Sequence, residues 1–397
     1  MMRPGRAVVI GGGIGGLAAA LGLLRTGWRV TVVERAPDAL ADAGAGISLA
    51  ANGIHALDAL GAGPAVRAAA RRQLTGATRT PGGRVLARMD GHALERALGA
   101  PILGIPRATL HRLLRAPLPP GALVNGAEVT AVDDDPDAPH ARVRTADGRA
   151  YDADLVVAAD GINSRVRARL LPDAPGPAYS GSTVLRAITE RPVDVGGADF
   201  QLTWGRGAEF GHILFADGRA EWHAVLNAPK GVRPRDPLDA LRRRFADWHD
   251  PIPALLAATA PGAVLHHDIN ELATPLPTYA VGRVALLGDA AHAMTPHLGQ
   301  GACQALEDAV TLAAAAAEAP DVRTALARYD AERRPRSQAV ALAARRAGRM
   351  GQQLAHPAAV AVRNAAMRLT PSGATIRTIL RHASWTPPEL RPELANS

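Results

Sequence analysis

The feature that most constrains this chain is its opening stretch from Arg6 to Glu34, RAVVIGGGIGGLAAALGLLRTGWRVTVVE. RAVVI (6–10) is a short apolar run of the kind that forms a buried parallel strand, LAAALGLL supplies helix formers up to a stop near Gly27, and RVTVV (29–33) is a second strand. This is one βαβ unit. In its turn, Gly11 permits the sharp reversal, Gly13 lets a ligand's phosphates approach the backbone, and Gly16 lets the helix pack against the strand; Ile14 and Gly15 complete the loop. The helix start presents free N–H groups and a positive dipole end to those phosphates. Glu34, followed by Arg35, ends the second strand, where a carboxylate accepts a bond from a ribose hydroxyl and repels a phosphate on that ribose. The loop is therefore built for FAD or NAD rather than NADP.

At 397 residues the chain is long enough for one large or two interlocked domains. No apolar run reaches the roughly 20 uncharged residues of a membrane span, and the N-terminus runs into a strand pattern instead of a leader. The single cysteine, Cys303, excludes a disulfide framework and fits a reducing compartment, so a cytoplasmic location is expected. The net charge of +8 raises the question of nucleic acid, but the basic residues are scattered and Lys230 is the only lysine. No nucleic-acid partner is expected, and a basic surface would serve to attract anionic cofactors or substrates.

Two further segments place an aspartate at the C-terminal end of a buried strand, where open α/β sheets bind ligands. DLVVAADGINSRVR (154–167) runs into Asp160 and Gly161, and RVALLGDAAHAMTPHLGQGACQALEDA (283–309) runs into Gly288 and Asp289, a loop and a helix. With the first loop, these motifs resemble the single-component FAD-dependent aromatic hydroxylases of the 4-hydroxybenzoate hydroxylase fold, in the branch of the salicylate, 3-hydroxybenzoate and urate hydroxylases and the tetracycline-modifying monooxygenase. GAGISLAANGIHALDALG (44–61) and IPRATLHRLL (105–114) also look like family segments.

The resemblance implies an α/β fold: a Rossmann-like FAD-binding domain with an inserted antiparallel β-sheet substrate domain and C-terminal helices. It implies that Asp289 bonds the ribityl chain of FAD and that Arg107 approaches the pyrophosphate. Gly299, Gly301 and Ala302 would open a helix toward the flavin pyrimidine, and Asp160 and Gly161 would serve FAD and a passing NADH or NADPH. Arg167 closes its motif, with a surface ion pair as the other reading. Pro296 and His297 fall near the flavin; His297 stands where the family usually has Asn. His292 is expected to be structural. The implied activity is insertion of one oxygen atom from O2, through a flavin C4a-hydroperoxide, into a small aromatic or polycyclic molecule. Hydroxylation leads, with epoxidation, Baeyer–Villiger oxidation or oxidative decarboxylation as alternatives and a flavin reductase of the same fold as another. Because the flavin carries the chemistry, no acid or base is assigned.

Between 177 and 267 short β-rich segments alternate with Gly, Pro and Asp turns, which reads as the inserted sheet. In strand 220–226, Ala220, Trp222, Ala224 and Leu226 share one side, and Glu221, His223 and Val225 the other; which side is the pocket stays open. Arg186 lies in the apolar run VLRAI and needs a carboxylate, from Glu209, Glu221 or a ligand. Gln201, His212, Trp222, His223 and Pro296 join it as candidate substrate contacts, and Trp204 or Trp222 is a candidate stacking surface. The adjacent His266 and His267 point to opposite faces, and no metal site is expected.

The expected layout assigns residues 1–72, 97–176 and 268–345 to the FAD-binding domain, 73–96 and 177–267 to the substrate sheet, and 346–397 to a C-terminal helical tail rich in Ala and Arg. A monomer or homodimer is expected.

Overall fold

The computed structural model describes residues 4–37, 45–370 and 372–390, without the side chains of 372–376 and 378. Gly44 of the segment 44–61 and the closing residues 391–397 of the tail lie outside the described residues.

The βαβ unit forms as its sequence dictates: strand Arg6–Ile10, helix Ile14–Arg25 and strand Arg29–Val33, with the two strands paired in parallel. Leu155–Ala158 pairs in parallel on the other side of Arg6–Ile10, and Val284–Leu286 pairs beyond it. Leu123–Val124 and Ala280–Val281 complete a six-stranded sheet, in which only Ala280–Val281 runs antiparallel. Val8, Val9, Val156, Val157, Ala285 and Leu286 are almost fully buried, because helices cover this sheet and its strands need no polar side. The helix Gly301–Glu318 packs on Ile14–Arg25, and the 29-residue helix Val322–Met350 packs on Gly301–Glu318.

The second layer is a seven-stranded sheet in the order Leu265–Glu271, Ala178–Ile188, Ala220–Asn227, Ala208–Leu214, Phe200–Trp204, Thr75–Arg79 and Val85–Asp90. The strand Leu265–Glu271 pairs with Ala178–Ile188 and carries the sheet past residue 268, so the change of layer comes after Glu271, at Leu272. The helix Val322–Met350 likewise runs through 345 without a break, and two shorter helices, Pro357–Leu369 and Ser372–Ala383, follow it. Among the described residues no helix is long and apolar enough to cross a membrane, and no group of His, Cys, Asp and Glu is arranged to hold a metal ion.

The register of the large sheet determines which residues share a face. Arg186 lies opposite His223, which lies opposite Gly211; Val225 lies opposite Glu209, and Glu209 opposite Trp204. These residues share one face with Glu221. Ala187, Trp222, His212 and Gln201 form a transverse row on the other face.

Candidate active site

The glycine loop meets the demands placed on it. Gly11 has φ +103°, and a Cβ there would fall 2.4 Å from the Ala159 carbonyl oxygen, so neither the turn nor the close approach admits a side chain. At Gly16 a Cβ would fall 1.9 Å from the Gly11 carbonyl oxygen, while at Gly13 it would meet nothing within 4 Å. Gly15 lies close against Leu287 and Ala305, and Ile14 is buried beneath the loop. The helix N-cap, Gly13, has no side-chain cap, which leaves the first N–H groups for a ligand. Glu34 accepts bonds from the backbone N–H of Gly12 (2.6 Å) and Ala36 (2.8 Å), so it holds the loop closed at the point where a ribose would sit; Arg35 beside it is exposed. His111 adds a contact that the sequence did not reveal, a 2.7 Å bond between its Nε2 and the Gly12 carbonyl.

The two aspartate motifs converge on the same sheet edge. Asp160 Oδ2 accepts from the Val166 N–H at 3.3 Å, while Oδ1 is buried without a partner among the described residues. Gly161, at φ +81°, faces open space. Arg167 is buried and donates to the Ile162 and Ala290 carbonyls, tying one motif to the other, which replaces the surface ion pair as its role. Gly288 (φ +62°) turns the chain into the exposed Asp289, and Gly299 adopts the left-handed conformation just before the helix that opens at Gly301 and Ala302. No side chain caps that helix, and a Cβ at Gly299 or Gly301 would meet nothing within 4 Å.

Arg107, half-buried at the start of helix Arg107–Arg115, donates its backbone N–H to the Ala45 carbonyl, while its guanidinium has no hydrogen-bond partner among the described residues. Burial and then the neighbouring charge of Arg186 lower its pKa, while Asp289 opposes them. Arg186 and Asp289 therefore both stand within electrostatic reach of Arg107, which joins the FAD-binding edge to the large sheet. These groups fit FAD: open glycine backbone, two uncapped helix starts, a free guanidinium and an orphaned aspartate oxygen.

Behind the helix Gly301–Glu318 lies a buried charge network. Arg333, 1% exposed, donates to Asp308 Oδ1 at 2.7 Å, to Gln304 Oε1 at 2.8 Å and to Glu307. Arg336 donates twice to Glu307, and Asn52 bonds both Gln300 and Glu307. Asp308 also accepts from the Gly288 N–H (3.0 Å) and bonds His292 (2.6 Å), so the network fixes the helix relative to the Gly288–Asp289 turn. His292 has the structural place expected of it.

The two faces of the large sheet differ in what covers them. Ala187, Phe210, Trp222 and Ala224 pack against helices Pro237–Arg244 and Ile252–Ala257, and Trp222 Nε1 donates to Thr259 at 2.8 Å. Trp222 is thus a core residue, because the ring area that suggested stacking is spent on Phe210 and the covering helices. Gln201 is buried on the same face and accepts from Arg79; His212 bonds the Ala198 carbonyl, and burial lowers its pKa to about 4. Gln201, His212 and Trp222 are therefore corrected to structural residues on the far face, where backbone and core partners satisfy them.

The near face turns toward the FAD-binding layer: a Cβ on Gly46 would fall 2.7 Å from Glu221 Cβ. His223 Nδ1 lies 3.2 Å from Glu221 Oε2 and Nε2 lies 3.8 Å from Glu209 Oε1. Burial disfavours its charge, but the carboxylates of Glu221 and then Glu209 prevail and raise its pKa. The ring occupies the space above Gly211, where a Cβ would fall 2.3 Å from Nε2. Neither Glu209 nor Glu221 takes Arg186: they bond Trp204 Nε1 and His223, and Arg186 Nε is buried without a partner among the described residues. Arg363, from helix Pro357–Leu369, stacks over the Trp204 ring at 5.3 Å. At the far end of the site Pro296 is exposed, and His297 lies against Gly348, whose missing side chain leaves room for the imidazole; its Nε2 reaches Gln352 at 3.4 Å.

The family model described as FAD binding domain matches residues 6–344. The chain belongs to that family. It is 39% identical to the aurachin C monooxygenase/isomerase of Stigmatella aurantiaca over 97% of this chain and 100% of the relative. It is 33% identical to the FAD-dependent urate hydroxylase of Klebsiella pneumoniae over 86% and 89% of the two chains. The crystal structure of Klebsiella pneumoniae HpxO with FAD and uric acid superposes with a TM-score of 0.88 at 28% identity, covering 95% of this chain and 96% of that one. The chain is an FAD-dependent monooxygenase, with the FAD-binding fold and inserted sheet expected of it.

Proposed function

We propose that this monooxygenase hydroxylates a small aromatic or heteroaromatic ring bearing an acidic hydroxyl, N–H or carboxyl group, with NADH or NADPH as electron donor. The observation that carries this reading is Arg186: a guanidinium with a buried, unpartnered Nε, on the sheet face that meets the FAD-binding layer. A guanidinium nitrogen shut off from water without an acceptor is costly, and an anionic ring substituent would supply the missing partner. The named substrates of several relatives, 3-amino-4-hydroxybenzoate, 6-hydroxynicotinate and urate, agree with this class.

Bound FAD supplies electron transfer from the nicotinamide and activation of O2. The chain supplies the rest. Gly11, Gly13, Gly16 and Arg107 hold the pyrophosphate, Glu34 the ribose, and Asp289 the ribityl chain, with Ile14, Gly15, Arg35, Asp160, Gly161 and Gly288 around them. The start of helix Gly301–Glu318, with Gly299 and Ala302, directs its positive end at the flavin ring. On the substrate side, Arg186 orients the ring through its anion. His223, held between Glu221 and Glu209 on the same face, adds a polar group beside Arg186 for the ring substituent. Trp204, Pro296 and His297 wall the pocket and exclude water. The buried free Cys303 agrees with a cytoplasmic location.

The test is Arg186→Gln in the FAD-loaded enzyme, with 3-amino-4-hydroxybenzoate, 6-hydroxynicotinate and urate as probes of flavin-fluorescence change. Loss of a charge-assisted pair predicts a Kd weaker by about ten- to a hundredfold for any probe that the parent binds, with FAD content unchanged and partial recovery in Arg186→Lys. Affinity within twofold of the parent would remove Arg186 from the substrate site.

A further inference from the structure

The helix Pro357–Leu369 carries apolar residues on both sides. None of its residues is buried, and its partly covered side holds Val360, Met367, Asn364 and Arg363, the last stacked on Trp204. Its exposed side holds Ala358, Val362, Ala365 and Leu369, which at spacings of four, three and four fall on one stripe. Val362 is 70% and Leu369 83% exposed, and Met350, at the end of the preceding helix, is 70% exposed. Of the five exposed large apolar residues among the described residues, four lie between Leu342 and Leu369. Single exposed leucines are ordinary, but an apolar stripe along a whole helix marks a surface that something covers.

The charge around the stripe identifies what covers it. Between Glu332 and Glu389 the sequence contains ten arginines and no aspartate or glutamate, which more than accounts for the net charge of +8. Arg333, Arg334, Arg336 and Arg345 are held by carboxylates elsewhere in the chain. Arg346, Arg349, Arg368 and Arg381 are exposed and make no ion pair among the described residues. A second copy on this face would set one unneutralised arginine cluster against another, which disfavours a symmetric dimer here.

We propose that the C-terminal helices form a docking face for an anionic lipid bilayer, with Val362 and Leu369 entering the headgroup boundary and the flanking arginines pairing with lipid phosphates. Apolar insertion and charge attraction together give reversible surface binding, and no membrane-spanning helix is needed. The docking face and the Arg363–Trp204 wall of the substrate sheet are opposite sides of one helix, so binding occurs next to the active site without using its residues. This inference does not depend on the substrate class proposed above.

The test sediments the FAD-loaded full chain with vesicles of phosphatidylcholine alone and of phosphatidylcholine containing about one-quarter phosphatidylglycerol, at low salt and at about 0.5 M salt. Binding to the anionic vesicles alone, weakened by salt, is expected. Val362→Asp with Leu369→Asp abolishes it. Arg346→Gln, Arg349→Gln and Arg368→Gln together weaken it about a hundredfold, at roughly fivefold per charge. Both variants retain the parent's FAD content and vesicle-free NAD(P)H oxidation, because these side chains are exposed and none belongs to the glycine loop or to the Arg186 face. Three results would overturn the proposal. One is no excess sedimentation with phosphatidylglycerol; a second is binding that the aspartate pair leaves intact, which would make the attraction purely ionic. The third is a parent dimer that the aspartate pair converts to a monomer, which would assign the face to a second copy.

Discussion

Replacing Arg333 by methionine removes the one fully buried guanidinium of the network behind helix Gly301–Glu318 while nearly conserving its volume. Arg333 and His292 together hold the Asp308 pKa down, from 3.8 to about 2, against a burial cost that would otherwise raise it. That depression is worth about 2 kcal/mol at neutral pH. Its sign is that of a stabilised carboxylate: the stabilisation is complete above the unfolded value near 4 and is lost as pH falls toward 2. Without Arg333, Glu307 keeps Arg336, Asn52 and Gln304, but Asp308 keeps only His292 and the Gly288 N–H. Adding the bonds lost from Gln304, breaking this buried group by removing one partner is expected to cost about 3–5 kcal/mol. Urea unfolding at pH 7 measures it, and FAD titration measures the consequence, since the same network fixes the helix start against the Gly288–Asp289 turn. Asp308→Asn combined with Arg333→Met should recover part of the loss, as no uncompensated charge remains. An unfolding free energy within 1 kcal/mol of the parent for Arg333→Met alone would refute this reasoning.

Gly16→Ala places a Cβ 1.9 Å from the Gly11 carbonyl oxygen, so the loop must open; FAD affinity by fluorescence quenching should fall by at least about tenfold, and an unchanged affinity would mean that the loop does not hold the cofactor. His212 is buried neutral with its pKa lowered to about 4, whereas the unfolded chain takes up a proton near 6.5. Stability is therefore full above pH 6.5 and declines by about 3 kcal/mol as pH falls toward 4. His212→Gln should flatten that part of the urea-unfolding pH profile, and an unaltered slope would place the titration elsewhere.

The cofactor cradle was legible because each of its demands is local. A turn at Gly11, an open backbone at Gly13 and a close helix at Gly16 are fixed within a few residues, and the two aspartates end apolar strands that any reader of the sequence can see. The substrate face was not legible in the same way. Alternation grouped Trp222 apart from His223, but choosing the outer face required knowing that helices from 237–257 cover one side of the sheet. Trp222, Gln201 and His212 were attractive as chemistry and wrong as geometry. The space above Gly211 for His223 and beside Gly348 for His297 depends on pairs 12 and 51 positions apart, with no periodic signal. Arg333 and the Glu307–Asp308 pair were visible as charges in helical segments, where solvated faces are the ordinary reading; only packing of one helix on the other buries them.

The central claim is that NAD(P)H oxidation is coupled to insertion of one atom of O2 into a ring with an acidic substituent, the other atom leaving as water. The most direct measurement follows NADH and NADPH oxidation by the FAD-loaded protein in air, with phenols, aromatic acids, purines and hydroxylated heterocycles, while hydrogen peroxide is quantified in parallel. The account predicts that a ligand with an ionisable ring group accelerates oxidation, that peroxide yield falls as it does so, and that the product gains one oxygen atom. A stimulating ligand whose electrons all appear as peroxide, or one that leaves the reaction reduced with no added oxygen, would contradict it.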